Sequence, residues 1–515
     1  MVLRLPRRRF FSLAAVTASS VCAPLGCGSD DASRPDTSAK FFPQSVASGD
    51  PRETSVVLWT RVVDPARPDQ DLSVELEVSK DEGFRKVIAL NGAAAAELTA
   101  SAVSDHCLTV RVDSLEAGTT YYYRFRYIGS EGTVTSRTGR TRTAPKADAD
   151  VQVKFGVVCC QSYAGRYFHV LRQLATYELD FVLHLGDYIY ETGRASADGP
   201  RAVVFSKPEE ALELGGGELA ARSLDNYRDL YRLYRSDPDL QALHERFAMI
   251  VIPDDHEFSD DSHGATATYF DERVDETDVE RRMASDQAWF EYMPVDYTDN
   301  TASKWQSALE FPDDLRIYRS FAFGKHLELV LTDERRYRPD HLVPEGASPG
   351  VIFALSAALP DVPAEELVPC VNVDIAPFDA YGAELRTHAA ELGLDPSQIA
   401  GYVSAPWLNA QLAVVESLLP AIELTEPTLE RGYAYHQLLK SAQYGRIGSR
   451  YLLAERPFYE LARLAVSQRP EAQNILGAEQ RAWFLDTMKR STRTFKVWGS
   501  EVAFLSRKLD LTGLT

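Results

Sequence analysis

Residues 180–191 read DFVLHLGDYIYE, an almost unbroken apolar run that ends on Gly186-Asp187 and places a phenol three positions later at Tyr190. A short run without polar alternation reads as a strand buried on both faces, as in a parallel sheet. The carboxylate at the end of such a strand must find hydrogen bonds or a cation. Where the chain leaves the strand and turns, side chains at i and i+3 converge. Asp187 and Tyr190 then offer a carboxylate and a phenolate oxygen to one ion. Phenolate is a hard, basic donor that suits a trivalent metal such as Fe(III).

The sequence around this stretch alternates strands and helices from Val151 onward. VQVKFGVVC (151–159) and RFAMIVI (246–252) read as strands, as do LELVLT (327–332) and TFKVWGSEV (494–502). Between them, RYFHVLRQLATYE spaces Tyr167, Val170, Leu171 and Leu174 along one helical face, and NYRDLYRLYR and EQRAWFLDTMKR read as further helices. This rhythm predicts an α/β sheet with flanking helices on both faces.

Four strand ends carry chemistry. The first ends at Cys159-Cys160 and the second at Gly186-Asp187. The third passes through Pro253 into Asp254-Asp255-His256-Glu257, and the fourth ends at Asp333 before Arg335, Arg336 and Arg338. Ligands of open α/β sheets collect beyond the carboxyl ends of the strands. A thiolate from Cys160 completes the Fe(III) set, and the second oxygen of Asp187 is free to bridge a neighbouring ion held by Asp254 and Asp255. An all-oxygen set suits calcium. Two cations about 3.5–4 Å apart clamp a phosphate and activate water. Taken singly, the tyrosine reads as packing, DDHEFSDD as a solvated loop and DERRYRPD as surface ion pairs. Four consecutive strand ends together read as a site.

Upstream, residues 42–145 alternate in short runs such as SVVLWTRV and TTYYYRFRY, the latter with Tyr121, Tyr123, Phe125 and Tyr127 on one face. They predict a small fibronectin-like β-sandwich with no catalytic residue of its own. Residues 1–28 have an Arg-rich start, an apolar stretch and small residues, and Arg7-Arg8-Arg9-Phe10-Phe11 resembles a twin-arginine export signal. Passage through the twin-arginine machinery makes the expected location periplasmic or extracellular. PLGC, ending at Cys27, resembles a lipoprotein box with Pro24 in place of an aliphatic residue, which leaves a lipid anchor at Cys27 open. A polar linker follows at 29–41. The 515-residue chain carries a net charge of −20, against any broad electrostatic grip on nucleic acid, and no apolar run after the N-terminus is long enough for a transmembrane segment. Only Cys107, Cys159, Cys160 and Cys370 lie beyond Cys27, too few to staple so large a body.

GDYIY followed by DDHE is similar to the calcineurin-like metallophosphoesterase pattern, and Asp-x-x-Tyr resembles the ferric ligands of purple acid phosphatases. The ordered series VASGDPRETSVVLWTRV, CCQSYAGRYF, DFVLHLGDYIYE, YRSDPDLQALH, IPDDHEFSDD and LGAEQRAWF resembles the PhoD-like alkaline phosphatases. The resemblance implies an exported phosphomonoesterase or phosphodiesterase that uses Fe(III) with calcium on a phosphate ester substrate. It assigns Cys160, Asp187 and Tyr190 to iron, and puts Asp255 where relatives have a metal-binding Asn. His256 becomes a donor to the phosphate or leaving group, oriented by Glu257, with Arg335 or Arg338 on phosphate oxygens. Asp260-Asp261 stands where the family often has an Asn pair, so Asp260 joins the expected metal ligands. The expected catalytic domain covers 150–515, with a mainly helical insertion at 339–474. The family's late Gly-Asp-x-His segment is not found before Thr515, so the C-terminal end is expected to be missing. The alternative is therefore a weakly active or non-catalytic phosphate-binding relic of the same fold.

Overall fold

The computed structural model describes residues 38–129, 132–197, 199–267, 276–296, 316–344, 347–440 and 453–502. The export signal, the lipid-anchor alternative at Cys27 and most of the expected linker lie outside the described residues. The end of that linker does not behave as one: Ser38–Phe41 forms a helical turn, and the Phe41 ring is buried 5.6 Å from that of Tyr127.

The N-terminal part contains β1 (Val46–Gly49), β2 (Val56–Arg61), β3 (Leu72–Ser79), β4 (Ala96–Ala100), β5 (Cys107–Val112), β6 (Thr120–Gly129), β7 (Gly132–Thr135) and β8 (Gly139–Arg142). One sheet has the order β4-β3-β6-β7, with β8 also paired to β6. Strict alternation along β6 turns Tyr121, Tyr123, Phe125 and Tyr127 into the core, where they join Val74, Leu76, Val56 and Leu58. The facing strands β5-β2-β1 do not close off a separate body. Their sheet continues through β1 into the α/β core.

That core adds β9 (Phe155–Val158), β10 (Phe181–His184) and β11 (Ala248–Val251), giving the order β5-β2-β1-β11-β10-β9. The three new strands are parallel and in register, with Phe155 opposite Phe181 and Phe181 opposite Ala248. Their carboxyl ends therefore finish level. β10 and β11 are buried at every position, as fully covered parallel strands are. Helices α1 (His169–Leu174), α2 (Leu224–Tyr234), α3 (Pro238–Arg246) and α4 (Val279–Tyr292) supply Leu171, Tyr231, Leu243 and Trp289 to the same core. Ser223 and Asn226 form a capping box on α2, and Asp237 caps α3.

The fourth expected strand belongs elsewhere. β12 (Arg319–Phe323) and β13 (Leu327–Leu331) form a hairpin across Gly324, and β13 pairs in parallel with β14 (Phe495–Gly499). This second sheet packs on the first: the Phe181 and Phe323 rings stack 4.4 Å apart. One face of the α/β sheet is thus covered by a sheet rather than by helices.

Beside its helices, the insertion carries a sheet that the sequence does not announce. Strands Ile352–Leu355, Glu430–Ala434, Val368–Asn372 and Tyr402–Ser404 build a four-stranded sheet, accompanied by helices Asp379–Thr387, Ala405–Val414 and Glu455–Gln468. VPCVN and ERGYA carry β-branched and aromatic residues that favour strands. Val371, Leu385, Val403 and Leu408 form a core of its own there. Cys107, Cys159, Cys160 and Cys370 are free thiols.

Candidate metal centre

The level ends of β9, β10 and β11 put three loops side by side. Cys160 N–H donates to the Gly186 carbonyl at 3.2 Å and Gln161 N–H to the Asp187 carbonyl at 3.0 Å, which ties the first loop to the second. Gly186 has φ +92°, and a Cβ there would lie 2.4 Å from Asp254 N and Cβ. Only glycine permits the second and third loops to approach so closely. Cys160 and Asp187 themselves take left-handed backbone, with φ 56° and 54°, the local strain common at functional sites.

Cys160, Asp187 and Tyr190 converge. The Tyr190 hydroxyl donates to Asp187 Oδ2 at 3.0 Å. The Cys160 thiol is within hydrogen-bonding reach of both the Asp187 carboxylate and the Tyr190 hydroxyl. Partial burial, with the Asp187 charge beside them, pushes both the thiol and the phenol well above their ordinary values. Burial, then the neighbouring Asp255 carboxylate, also raises Asp187. The other oxygen, Asp187 Oδ1, is buried with no hydrogen-bond partner. Ligand atoms of Asp187, Asp255 and His256 lie within 4.8 Å of one another. Two acids held protonated beside a carboxylate with an orphaned oxygen are chemically suited to a cation, which would ionise the thiol and phenol and satisfy Asp187.

His256 and Glu257 part company. Glu257 does not orient the imidazole. It accepts from the backbone N–H groups of Asp187, Tyr188 and Asp254 at 3.1, 2.5 and 2.7 Å, pinning two loops together. Burial and the Asp187 charge push its carboxyl up to about 8. The carboxylate on the ring is Glu191, whose Oε2 lies 2.6 Å from His256 Nδ1. Burial disfavours the imidazolium, but Glu191, Asp255 and Asp187 outweigh it and push His256 up to about 11. The ring also packs 4.2 Å from that of Tyr190, centroid to centroid. Asp260 stands beside this pair: its N–H donates to Glu191 Oε1 at 2.5 Å, and its carboxylate lies 3.7 Å from His256 Nε2.

Asp254 Oδ1 accepts from Arg335 Nε at 2.7 Å, so that oxygen is engaged by a guanidinium. Burial, opposed by that guanidinium, pushes Asp254 up to about 8. Arg335 also reaches Asp261 Oδ1 at 3.1 Å and Asp255 Oδ1 at 3.4 Å. Burial works against the Asp255 charge, yet Arg335 and His256 hold it below the ordinary carboxylate range. With its donors spent on three carboxylates, Arg335 is a poor phosphate clamp. Arg338, 3.7 Å from Asp261 and backed by His341, keeps Nε without an acceptor. Sequence reasoning missed Glu191 and His341; Asp260, an expected metal ligand, stands beside the Glu191–His256 pair, and its neighbour Asp261 bridges Arg335, Arg338 and His341. Glu191 closes the very stretch DFVLHLGDYIYE, but nothing in its spacing marks it as an imidazole partner.

Level parallel strands thus bring a thiol, a phenol, carboxylates and an imidazole to one edge of an α/β sheet. The chain belongs to the PhoD-like phosphatase family: the family's main model matches residues 155–415 and its N-terminal-domain model residues 27–145. The chain is 35% identical over 321 residues to Alkaline phosphatase D of Bacillus subtilis (strain 168), a match that covers 61% of this chain and 50% of that protein. It therefore spans about half the length of the curated relative. A solved structure of PhoD is 32% identical, with a TM-score of 0.49, over 62% of this chain and 56% of that one. Among the described residues, no helix is long and apolar enough to cross a membrane.

Proposed function

We propose that this chain is an exported, metal-dependent phosphoesterase that hydrolyses phosphate monoesters or diesters. Cys160, Asp187 and Tyr190 would hold Fe(III), and Asp187 Oδ1 with Asp255 would hold calcium. The observation that carries the reading is the buried Asp187 Oδ1 without a partner, on a carboxylate whose other oxygen accepts from the Tyr190 hydroxyl and which lies within reach of the Cys160 thiol. Bound there, the cations would supply Lewis-acid charge for a phosphoryl oxygen and for the attacking water.

The protein's own groups divide the remaining work. His256, kept cationic by Glu191, offers Nε2–H to a phosphate oxygen or to the leaving alkoxide. Glu257 fixes the loops that carry Asp187 and Asp254, so the ligands are preorganised. Arg338, whose printed carboxylate pairing is a long one at 3.7 Å to Asp261, would hold a second phosphate oxygen. Export is supported by Arg7-Arg8-Arg9-Phe10-Phe11 ahead of an apolar stretch.

The test is a metal analysis and visible spectrum of purified protein, followed by hydrolysis of 4-nitrophenyl phosphate and bis(4-nitrophenyl) phosphate with calcium present. A charge-transfer band that disappears in Tyr190→Phe, together with turnover of at least one ester, is expected. Protein without iron that hydrolyses neither ester sinks the proposal. Retention in the cytoplasm of a host with intact twin-arginine transport would remove the export component.

A further inference from the structure

The loop that leaves β9 carries two thiols in succession, and the metal reading uses only the second. Cys159 and Cys160 are exposed and free, whereas Cys107 and Cys370 are buried. Consecutive side chains of a strand point to opposite faces. Here the strand stops at Val158, and Cys160 takes left-handed backbone at φ 56°. The Cys160 thiol is within hydrogen-bonding reach of both the Cys159 thiol and the Asp187 carboxylate. The pair is held from outside as well, since Cys160 N–H donates to the Gly186 carbonyl at 3.2 Å. A solvent-facing thiol therefore stands against the sulfur that the proposed iron would take.

A bond between these two sulfurs would be a labile one. Across a trans peptide, adjacent Cα atoms are about 3.8 Å apart. Bridged cysteines usually span about 4.4–6.8 Å. A disulfide closed over the shorter span is strained, which makes it easier to reduce than a structural one. It also closes no loop of chain, so it adds little to the stability of the fold. Strained and exposed disulfides are the regulatory kind.

We infer that Cys159 and Cys160 form a redox switch on the metal cluster: a small-molecule disulfide oxidises the pair to a vicinal disulfide, which withdraws the Cys160 ligand, and a thiol reductant restores it. The inference rests on the reading of Cys160 as an iron ligand. The Cys159 sulfur, as thiolate, attacks one sulfur of the small disulfide, breaking that S–S bond and releasing one thiolate. The Cys160 sulfur then attacks the Cys159 sulfur of the mixed disulfide. Its proton passes to the neighbouring Asp187 carboxylate, and the second small thiolate leaves. Two protein thiols and one small disulfide thus become one protein disulfide and two small thiols. Iron on Cys160 would block the second step, so the switch acts on the metal-free protein. The export proposed above would carry the pair to a compartment where disulfides persist.

Trypsin cuts after Lys154 and Arg166, so peptide 155–166 carries this pair apart from Cys22, Cys27, Cys107 and Cys370. Metal-free protein is incubated with oxidised glutathione, alkylated and digested. Mass spectrometry should find the peptide unalkylated and two hydrogens lighter, and dithiothreitol before alkylation should return both alkyl groups. The oxidised protein should take up no iron and show no charge-transfer band when Fe(III) is added, and reduction should bring both back. Cys159→Ser should take up iron equally before and after the oxidant. An alkylated or glutathione-bearing peptide from the oxidised parent overturns the switch, as does equal loss of iron uptake in Cys159→Ser. Either result leaves the phosphoesterase reading standing if the reduced parent binds iron. A reduced parent that binds none brings down the iron reading and the switch with it, whatever the peptide shows.

Discussion

Replacing Arg335 by Gln removes the one guanidinium that touches Asp254, Asp255 and Asp261, at 2.7, 3.4 and 3.1 Å. Each such pair is worth about 4 kcal/mol at an effective dielectric of about 20. The three do not sum, because leaving the guanidinium in water recovers its desolvation cost. Removing one partner from a buried network typically destabilises by about 3–5 kcal/mol. The loss should depend on pH, and its sign follows from the carboxylates. Asp254 is pushed up to about 8 even with Arg335 present. Without the guanidinium, Asp254 rises further above its unfolded value, and Asp255 and Asp261, which Arg335 helps to hold low, rise as well. A raised acid in the folded state means stability that is present at low pH and lost as pH increases. Urea unfolding of the metal-free variant should therefore show a deficit that is small near pH 5 and grows toward pH 8. Calcium should stabilise the variant by about 2.7 kcal/mol at a hundredfold excess over its Kd, and the variant more than the parent, since Asp254 would then face Asp255 and Asp261 without its guanidinium. A deficit under about 1 kcal/mol at pH 8, or one that is flat with pH, refutes this account of Arg335.

Three further changes probe other parts of the structure. Glu191→Gln takes away the carboxylate 2.6 Å from His256 Nδ1, so the ring should fall from about 11 toward its usual value near 6.5; the alkaline limb of kcat should move to lower pH by more than one unit, and an unmoved limb contradicts the pairing. Gly186→Ala forces a Cβ to within 2.4 Å of Asp254 at φ +92°; it should cost about 2 kcal/mol or more and lower iron content, whereas a neutral thermal shift with full iron would rule out the close approach. Burial lowers His184 to about 3, so the folded state refuses a proton that the unfolded chain accepts below about 6.5. Stability should fall by roughly 1.4 kcal/mol per pH unit for this residue as pH drops below that value, and His184→Leu should flatten the slope in acid unfolding.

The parallel strands were legible because burial on both faces writes itself as uninterrupted apolar sequence: FVLH and AMIV are buried at every position. The same signal could not say which sheet a strand joins. LELVL is as apolar as its counterparts, yet it pairs with a neighbour across a short turn. Periodicity reports the covering of a strand's faces, not the identity of its edges. The sheet in the insertion was missed for a related reason. Leu-rich helical stretches such as APWLNAQLAV dominate the eye, whereas strands of three to five residues are too short to establish a period.

At the site, position along the chain identified residues and charge balance decided their roles. Cys160, Asp187 and Tyr190 could be read from strand ends, because a turn after a strand has only one direction in which to present them. Arg335 could be placed at the site by the same logic, but its task depends on three carboxylates drawn from the third loop after folding. Glu191 acquires its role in the same way, by meeting His256 across 65 residues of sequence. Once these partners are counted, Arg335 answers Asp254 and Asp261, and Glu191 answers His256. Of the acids that sequence offered as metal ligands, Asp187 alone retains a buried oxygen that no described donor reaches, and the proposed cation on that oxygen is the simplest way to complete its electrostatic environment.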